Sequence, residues 1–159
     1  MPIDVEGVDH LYVAVSDLAR SEAFYDRVMR LLGFKKGTFP IAGERHLHYF
    51  NRATQYTIRQ ARSAGAHDPY RPGLHHLCFR VTTREQVDEA AAGLRALGVE
   101  ATPPALYPEY AADYYATFFP DPDGIRLEIV ALRTGRILVR DHWGKLTEFE
   151  DPVRKAGLA

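Results

Sequence analysis

The chain has 159 residues, of which 46% are hydrophobic, and its 20 basic and 21 acidic residues give a formal net charge of −1 at pH 7. This balance provides no basic surface for nucleic acid or for an anionic membrane, and the length suits one domain. The single cysteine, Cys78, excludes an intrachain disulfide and fits a reducing compartment. The first residues lack the pattern of a secretion signal and no stretch reaches membrane-spanning length, so we expect a cytoplasmic protein.

The first half of the chain predicts one strand, one helix and three further strands. Their expected bounds are a strand over 8–15, a helix over about 17–32, and short strands near 34, at 45–50 and at 55–61. Ser16 or Asp17 caps the helix, and Gly33 ends it. A stretch rich in glycine, proline and alanine, 63–73, then indicates a linker or surface loop.

The same order of elements returns in the second half. The expected bounds are a strand over 74–81, a helix over about 84–97, a proline-rich loop, and strands near 114–119 and 125–131. Thr83 and Gln86 form a capping box at the start of the helix, and Gly98 ends it. His10 and His76 occupy equivalent places in the two halves, as do Gly33 and Gly98.

This internal repeat predicts an α+β fold made of two tandem βαβββ modules, about 7–62 and 74–131. Placed side by side, the modules form a curved mixed sheet with the helices outside and a cup inside. Both modules belong to one domain over 1–132. Residues 133–159 form a charged extension, which we interpret as a terminal helix or arm that packs on the body or on a second subunit.

Three residues at equivalent strand positions predict a metal site. The polar faces of the first strand of each module present His10 and His76, and the strand after the DPDG turn carries Glu128. If the modules pair about a pseudo-twofold axis, two imidazoles and one carboxylate form a ligand set with open coordination positions. A lone strand histidine is more often structural, and His75 is a rival of His76, but strand parity turns His75 toward the helix.

Parity also predicts what surrounds the metal. The expected neighbours are Tyr12, Cys78, Arg80, Arg126 and, on the equivalent strand of the first module, Arg59. Arginines there would favour an anionic or strongly oxygenated substrate, whereas at strand ends they would lie in solvent. His48 shares a strand face with His46. One of the two could act as a general base, since imidazole titrates near neutral pH, and the alternative is a structural or exposed role for both.

Three segments carry a family resemblance: DHLYVAVSDLARSEAFYDRVMRLLGF, GLHHLCFRV and DPDGIRLEIV. In this order they resemble the vicinal oxygen chelate superfamily, which includes glyoxalase I, fosfomycin-resistance thiol transferases, extradiol dioxygenases, methylmalonyl-CoA epimerase and bleomycin-resistance binding proteins. The resemblance spans about residues 7–131 and implies paired βαβββ modules, a metal held by His10, His76 and Glu128, and a substrate that approaches the metal through oxygen atoms. It also implies a homodimer.

Departures from the family pattern narrow the reaction. Glyoxalase I has a second glutamate in the first module, whereas Arg59 stands near that place and residues 45–75 contain no glutamate, so we do not expect that activity. Extradiol dioxygenases carry a tyrosine ten residues before the metal glutamate. Phe118 occupies that place here, although the hydroxyls of Tyr114 and Tyr115 are nearby. Bleomycin-type binding proteins usually lack the three ligands that this chain keeps.

The sequence therefore predicts a metal-dependent enzyme that uses Fe(II), Mn(II), Zn(II) or Ni(II) on a small oxygenated molecule, anionic if the arginines face the cup. Dioxygenase chemistry is slightly favoured over lyase or isomerase chemistry because the ligand set suits non-haem iron. The predicted catalytic residues are His48, Tyr115 and Arg59, and the predicted substrate-binding residues are Tyr12, Phe118 and Arg126. The alternative is a small-molecule binding or drug-resistance protein of the bleomycin-resistance type. Neither nucleic acid nor a membrane is an expected partner.

Overall fold

The computed structural model describes Ile3 and residues 5–63 and 65–158, and each half of this chain folds as one βαβββ module. The first module comprises β1 (His10–Val15), α1 (Leu18–Leu31), β2 (Lys35–Gly37), β3 (His46–Phe50) and β4 (Gln55–Gln60). The second comprises β5 (His76–Val81), α2 (Arg84–Ala96), β6 (Ala105–Leu106), β7 (Tyr115–Pro120) and β8 (Arg126–Ala131). The predicted α+β class and tandem repeat are confirmed.

Each module builds its own four-stranded mixed sheet. The strand orders are β1-β4-β3-β2 and β5-β8-β7-β6, in which β1 pairs parallel with β4 and β5 pairs parallel with β8. Within the described residues no strand ladder joins the two sheets, so the continuous curved sheet expected from modules placed side by side does not form within one chain. As a result, β1 and β5 are both edge strands.

Local signals in the sequence set both helix starts. The Asp17 side chain accepts a hydrogen bond from the backbone N–H of Arg20 at the start of α1. At α2, Thr83 and Gln86 form the predicted capping box. Gly33 follows α1 with a φ of +80°, a conformation that glycine adopts without strain.

One apolar core holds the two modules together. The faces of both sheets that lie against α1 and α2 bury large side chains in a single cluster, among them Tyr25, Met29, Ile58, Leu94, Leu127 and Ile129. The ring of Phe79 in the second module packs edge-on against Phe34 and Tyr56 of the first, with centroids 5.8 and 6.2 Å apart. Because the covered faces meet in this core, the polar faces of the two sheets are turned away from it.

A buried hydrogen-bond network crosses the same junction. The hydroxyl of Tyr25, on α1, donates to Asp121 Oδ2 at 2.8 Å and lies 3.0 Å from the hydroxyl of Tyr56. Asp121 also accepts hydrogen bonds from the backbone N–H groups of Asp123 and Ile125 in the turn before β8. Burial raises the pKa values of both Tyr25 and Asp121 above their ordinary ranges. The DPDG turn, residues 121–124, therefore also connects the two modules through the hydrogen bond between Asp121 and Tyr25.

The described part of the extension beyond residue 132 contains two α-helices, α3 (Thr134–His142) and α4 (Pro152–Lys155), and a 3-10 helix over Trp143–Lys145. None of the three has a fully buried residue. The start of the extension is held to the second module by two contacts. The backbone N–H of Thr134 donates to Asp113 Oδ2 at 2.6 Å, and the guanidinium of Arg133 lies 4.9 Å from the centre of the Tyr114 ring. None of the helices in the described part of the chain has the length and apolar character needed to cross a bilayer.

Replacing Tyr25 by Phe removes the donor to buried Asp121 while keeping the ring. We expect the free energy of unfolding to fall by about 1–3 kcal/mol, because a buried acceptor loses one of its partners. Urea unfolding followed by circular dichroism measures the change. Tyr70→Phe is the control, since that ring is 87% exposed. Equal stabilities for the two variants would contradict the role given to this network.

Candidate metal centre

Glu128 is a buried carboxylate on the polar face of the second sheet. In β8 it pairs with Cys78 of β5 and with Phe118 of β7, and it is only 1% exposed. The Tyr114 hydroxyl donates to Glu128 Oε1 at 2.5 Å, and His76 Nε2 lies 3.6 Å from Oε2. Among the described residues, neither lysine nor arginine forms an ion pair with this carboxylate. Since a buried carboxylate is costly without a compensating positive charge, the pair of Glu128 and His76 suits a cation.

His76 lies on the exposed edge of the second sheet. Its side chain is 40% exposed, and its Nδ1 lies 2.7 Å from Nδ1 of His75. His75 precedes β5, is exposed, and packs its ring edge-on against Tyr70 at 5.6 Å. The expectation that His75 lies under the helix was therefore wrong, because strand parity does not extend to a residue outside the strand.

His10 lies on the polar face of the first sheet, and its side chain is 52% exposed. Its Nδ1 contacts Asp9 Oδ2 at 2.7 Å, and its ring packs edge-on against Tyr12 at 5.4 Å. Across the described ranges, no three His, Cys, Asp or Glu side chains lie close enough together to bind one ion. Within a single chain the predicted ligands are thus divided, with His76 and Glu128 together on one sheet and His10 on the other.

The donor chemistry nevertheless fits a divalent ion. Imidazole nitrogen and carboxylate oxygen are the ligands expected for Zn, Mn, Fe and Ni, and a ligating histidine usually donates its second ring N–H to a carboxylate. His10 has such a contact through Nδ1 with Asp9, which leaves Nε2 as its ligating atom. Tyr114 similarly holds one oxygen of Glu128 and leaves Oε2 on the side of His76.

His48 faces the same side of the first sheet as Tyr12 but is fully enclosed. Its Nδ1 lies 3.1 Å from Thr57 Oγ1, its Nε2 lies 3.0 Å from the carbonyl oxygen of Phe39, and the Phe39 ring stacks on it at 3.7 Å. Both ring nitrogens already have partners and the side chain has no access to solvent. This arrangement does not support the predicted role of His48 as a general base.

Two other predicted catalytic residues also lie in unexpected surroundings. Arg59 forms an ion pair with Glu44, a carboxylate that it shares with Arg62, so its guanidinium is engaged within the first module. Tyr115 lies on the helix side of the second sheet, where its hydroxyl donates to Asp88 Oδ1 at 2.7 Å. Tyr115 therefore does not face Glu128, and assigning it to the site was wrong.

Tyr114, the residue before β7, supplies the aromatic hydroxyl at the site. Desolvation and the bond to Glu128 raise the pKa of its hydroxyl, so it stays a hydrogen-bond donor at neutral pH. Desolvation and Glu128 likewise raise the pKa of the Cys78 thiol to about 12, which keeps it protonated. Only the proximity of Tyr114 to the strand could have indicated its role from sequence.

The three predicted substrate-binding residues all lie on the polar faces. Tyr12 is 44% exposed beside His10. Phe118 is buried beside Glu128, and the guanidinium of Arg126 lies 4.2 Å from the centre of its ring. Such cation–π packing leaves the arginine available to an anion while the ring stays fixed. Their roles in binding remain predictions.

Comparison with known proteins gives both sequence and structural relatives. The family model described as Glyoxalase/Bleomycin resistance protein/Dioxygenase superfamily matches residues 7–129. The uncharacterised protein YqjT of Bacillus subtilis is 32% identical over 129 residues, covering 77% of this chain and 96% of YqjT. The 2,2',3-trihydroxybiphenyl dioxygenase of Sphingomonas paucimobilis is 35% identical over 95 residues, covering 59% of this chain. The match spans only 31% of that dioxygenase.

Solved structures share the fold. A glyoxylase/bleomycin resistance protein/dioxygenase domain from Frankia sp. EAN1pec superposes with a TM-score of 0.68 at 25% identity, over 82% of this chain and 100% of that domain. A mutant of the fosfomycin resistance protein FosX from Listeria monocytogenes, complexed with Mn(II) and 1S,2S-dihydroxypropylphosphonic acid, gives a TM-score of 0.63 at 20% identity. That likeness covers 85% of this chain and 98% of FosX, and it concerns the fold alone.

The neighbouring pair Tyr114 and Tyr115 allows a matched test of the site. In Tyr114→Phe, Glu128 loses the donor to Oε1, so we expect metal-free protein to unfold about 1–3 kcal/mol more easily. In Tyr115→Phe, only an exposed bond to Asp88 is lost, and we expect a change below about 1 kcal/mol. Urea unfolding in EDTA measures both. A larger effect at Tyr115 would contradict the assignment of Tyr114 to the site.

Proposed function

The chain belongs to the glyoxalase/bleomycin resistance protein/dioxygenase superfamily, and from this premise we propose that it is a metal-dependent enzyme acting on a small oxygenated aromatic molecule. The observation that carries the proposal is Glu128, a carboxylate buried between the Tyr114 hydroxyl and the His76 imidazole. Nothing in packing requires a charge at this position, whereas a divalent ion would compensate it.

The third ligand, His10, comes from a second copy of the chain in this proposal. β1 and β5 are edge strands whose outer backbone groups are free to pair, and they carry His10 and His76. Pairing β1 of one copy with β5 of another would join two polar faces into one cup. The same operation applied twice gives a symmetric dimer with two sites, in keeping with the two-fold symmetry of most oligomers.

In this proposal the chain's own residues position the substrate. The bound ion, Fe(II), Mn(II), Zn(II) or Ni(II), supplies Lewis-acid or redox chemistry at the substrate's oxygen atoms. Tyr114 fixes the orientation of Glu128, and the exposed ring of Tyr12 offers a surface for a flat molecule. The buried ring of Phe118 lines the second polar face beside Glu128 and supports Arg126. Arg126, held on the Phe118 ring, provides a positive charge at one side of the cup.

Two observations favour dioxygenase chemistry over lyase or isomerase chemistry. Two imidazoles and one carboxylate are the usual ligands of non-haem Fe(II) in oxygenases. One sequence relative is a 2,2',3-trihydroxybiphenyl dioxygenase, whose name describes a substrate with neighbouring hydroxyl groups. The Tyr114 hydroxyl also puts a phenol beside the metal carboxylate, although not at the spacing that the extradiol pattern has.

Metal content is the direct test of this proposal. Protein purified anaerobically without a metal-affinity tag should hold close to one ion per chain by plasma mass spectrometry, and His10→Ala and Glu128→Gln should each lose most of it, because each removes one of three ligands. His142→Ala, in α3 outside the site, is the control and should keep the ion. Iron directs the next assay to oxygen uptake with catechols, and zinc, nickel or manganese directs it to lyase and isomerase reactions.

Wild-type protein that takes up no metal after reconstitution, yet binds small aromatic molecules tightly, would favour a binding protein of the bleomycin-resistance type.

Mixing two inactive variants tests whether the site is shared between copies. When His10→Ala and Glu128→Gln are co-expressed in equal amounts, each mixed dimer has one site with all three native ligands. Random pairing makes half of the dimers mixed, so we expect about a quarter of the wild-type metal content. The same variants purified separately and assayed without subunit exchange are the control. A mixture with no recovered metal would overturn the proposal that two copies share the site.

A further inference from the structure

An open pocket of about 830 Å³ lies where β5 and β8 end, between the second sheet and α3. It is separate from the residues that bind the metal in the proposal above. Its aliphatic lining comes from Val5, Val81, Leu132 and Val139, and its polar lining includes three arginines. Trp143, which is 63% exposed, also lines it.

The charge of this pocket is positive. Arg80, Arg136 and Arg140 line it together with one carboxylate, that of Glu6. Arg140 binds the neighbouring Asp141 at 2.7 Å, whereas Arg80 and Arg136 form no ion pair within the described ranges. Two guanidinium groups therefore remain available to an anion. Because a guanidinium has donors in a planar fork, it matches the two oxygens of a carboxylate.

Part of the pocket is built by one face of α3. Arg136, Val139, Arg140 and Trp143 recur at intervals of three and four residues, the spacing that places side chains on one side of a helix. Between them they offer charge, an aliphatic surface and a flat indole. This combination suits a ligand that has both an anionic group and an apolar body, and it is poorly suited to a small inorganic anion.

The pocket is close to the metal carboxylate along the sheet. Arg80 lies on the same face of β5 as Cys78, and Cys78 pairs with Glu128. Arg80 is thus two residues, roughly 7 Å, farther along the strand than the level of Glu128. α3 is also tied to this end of the sheet, because Arg133 packs on the ring of Tyr114, whose hydroxyl holds Glu128.

We infer that this pocket is a carboxylate subsite, so that the substrate is an oxygenated aromatic acid with its carboxylate held by Arg80 and Arg136. The metal end of this assignment depends on the proposed function. The carboxylate end depends only on the arginines and the apolar lining, and it is testable in protein without metal.

Trp143 makes that test direct, because it is the only tryptophan in the chain and it lines the pocket. Its fluorescence is followed while the metal-free full chain is titrated with 3-phenylpropanoate and, separately, with the neutral 3-phenylpropanamide. We expect saturable binding of the acid and affinity at least about tenfold lower for the amide, since a charge-assisted pair is lost. Arg80→Gln and Arg136→Gln should each weaken binding of the acid by about tenfold.

Arg95→Gln, an exposed arginine of α2 on the other side of the module, is the matched control and should bind the acid like the wild type. Equal affinities for acid and amide would overturn the proposal, as would unchanged binding in both pocket variants or the absence of any fluorescence change. Because all titrations are done without metal, a failed metal site leaves this result unaffected, and a failed pocket leaves the metal measurement unaffected.

Discussion

The apolar core shared by the two modules is the constraint on which the rest of the structure depends. The helix-covered faces of both sheets meet there, and the Tyr25–Asp121 hydrogen bond fastens α1 of one module to the turn before β8 of the other. Once those faces are buried together, the two polar faces must point outward, and β1 and β5 must end as open edges. The location of every candidate site residue follows from this choice of which faces to bury.

The same constraint explains why the site is divided. His76 and Glu128 belong to one module and approach each other through adjacent strands of one sheet. His10 belongs to the other module, whose polar face is turned away by the common core. Glu128 is nevertheless desolvated within the chain, since Phe118 and Tyr114 cover it. The part of the candidate site formed by His76, Glu128 and Tyr114 is therefore already organised within one chain.

Most of the fold could be predicted from sequence because its signals are local. Asp17, Thr83 and Gln86 cap the helices through nearby backbone groups, so the expected starts agree with the structure. β6 was missed because two residues in a proline-rich loop carry no periodicity. Tyr115 was predicted to be catalytic although Tyr114 stands beside it, because sequence proximity alone does not show which of two neighbouring hydroxyls reaches Glu128. The stacking of Phe39 on His48 depends on the path of the loop before β3, which no periodic pattern predicts. The outward direction of the two polar faces depends on a core that both modules share.

The open edges of β1 and β5 have a consequence for the newly synthesised protein. An unpaired strand edge is a template for aggregation, because any extended segment of another chain can dock on its free N–H and C=O groups. Here the exposed side chains along those edges include His10 on β1 and His76 and Arg80 on β5. Their polarity makes nonspecific stacking of apolar strands unfavourable while leaving the backbone accessible. Replacing these exposed polar side chains by large apolar ones would therefore favour insoluble assembly.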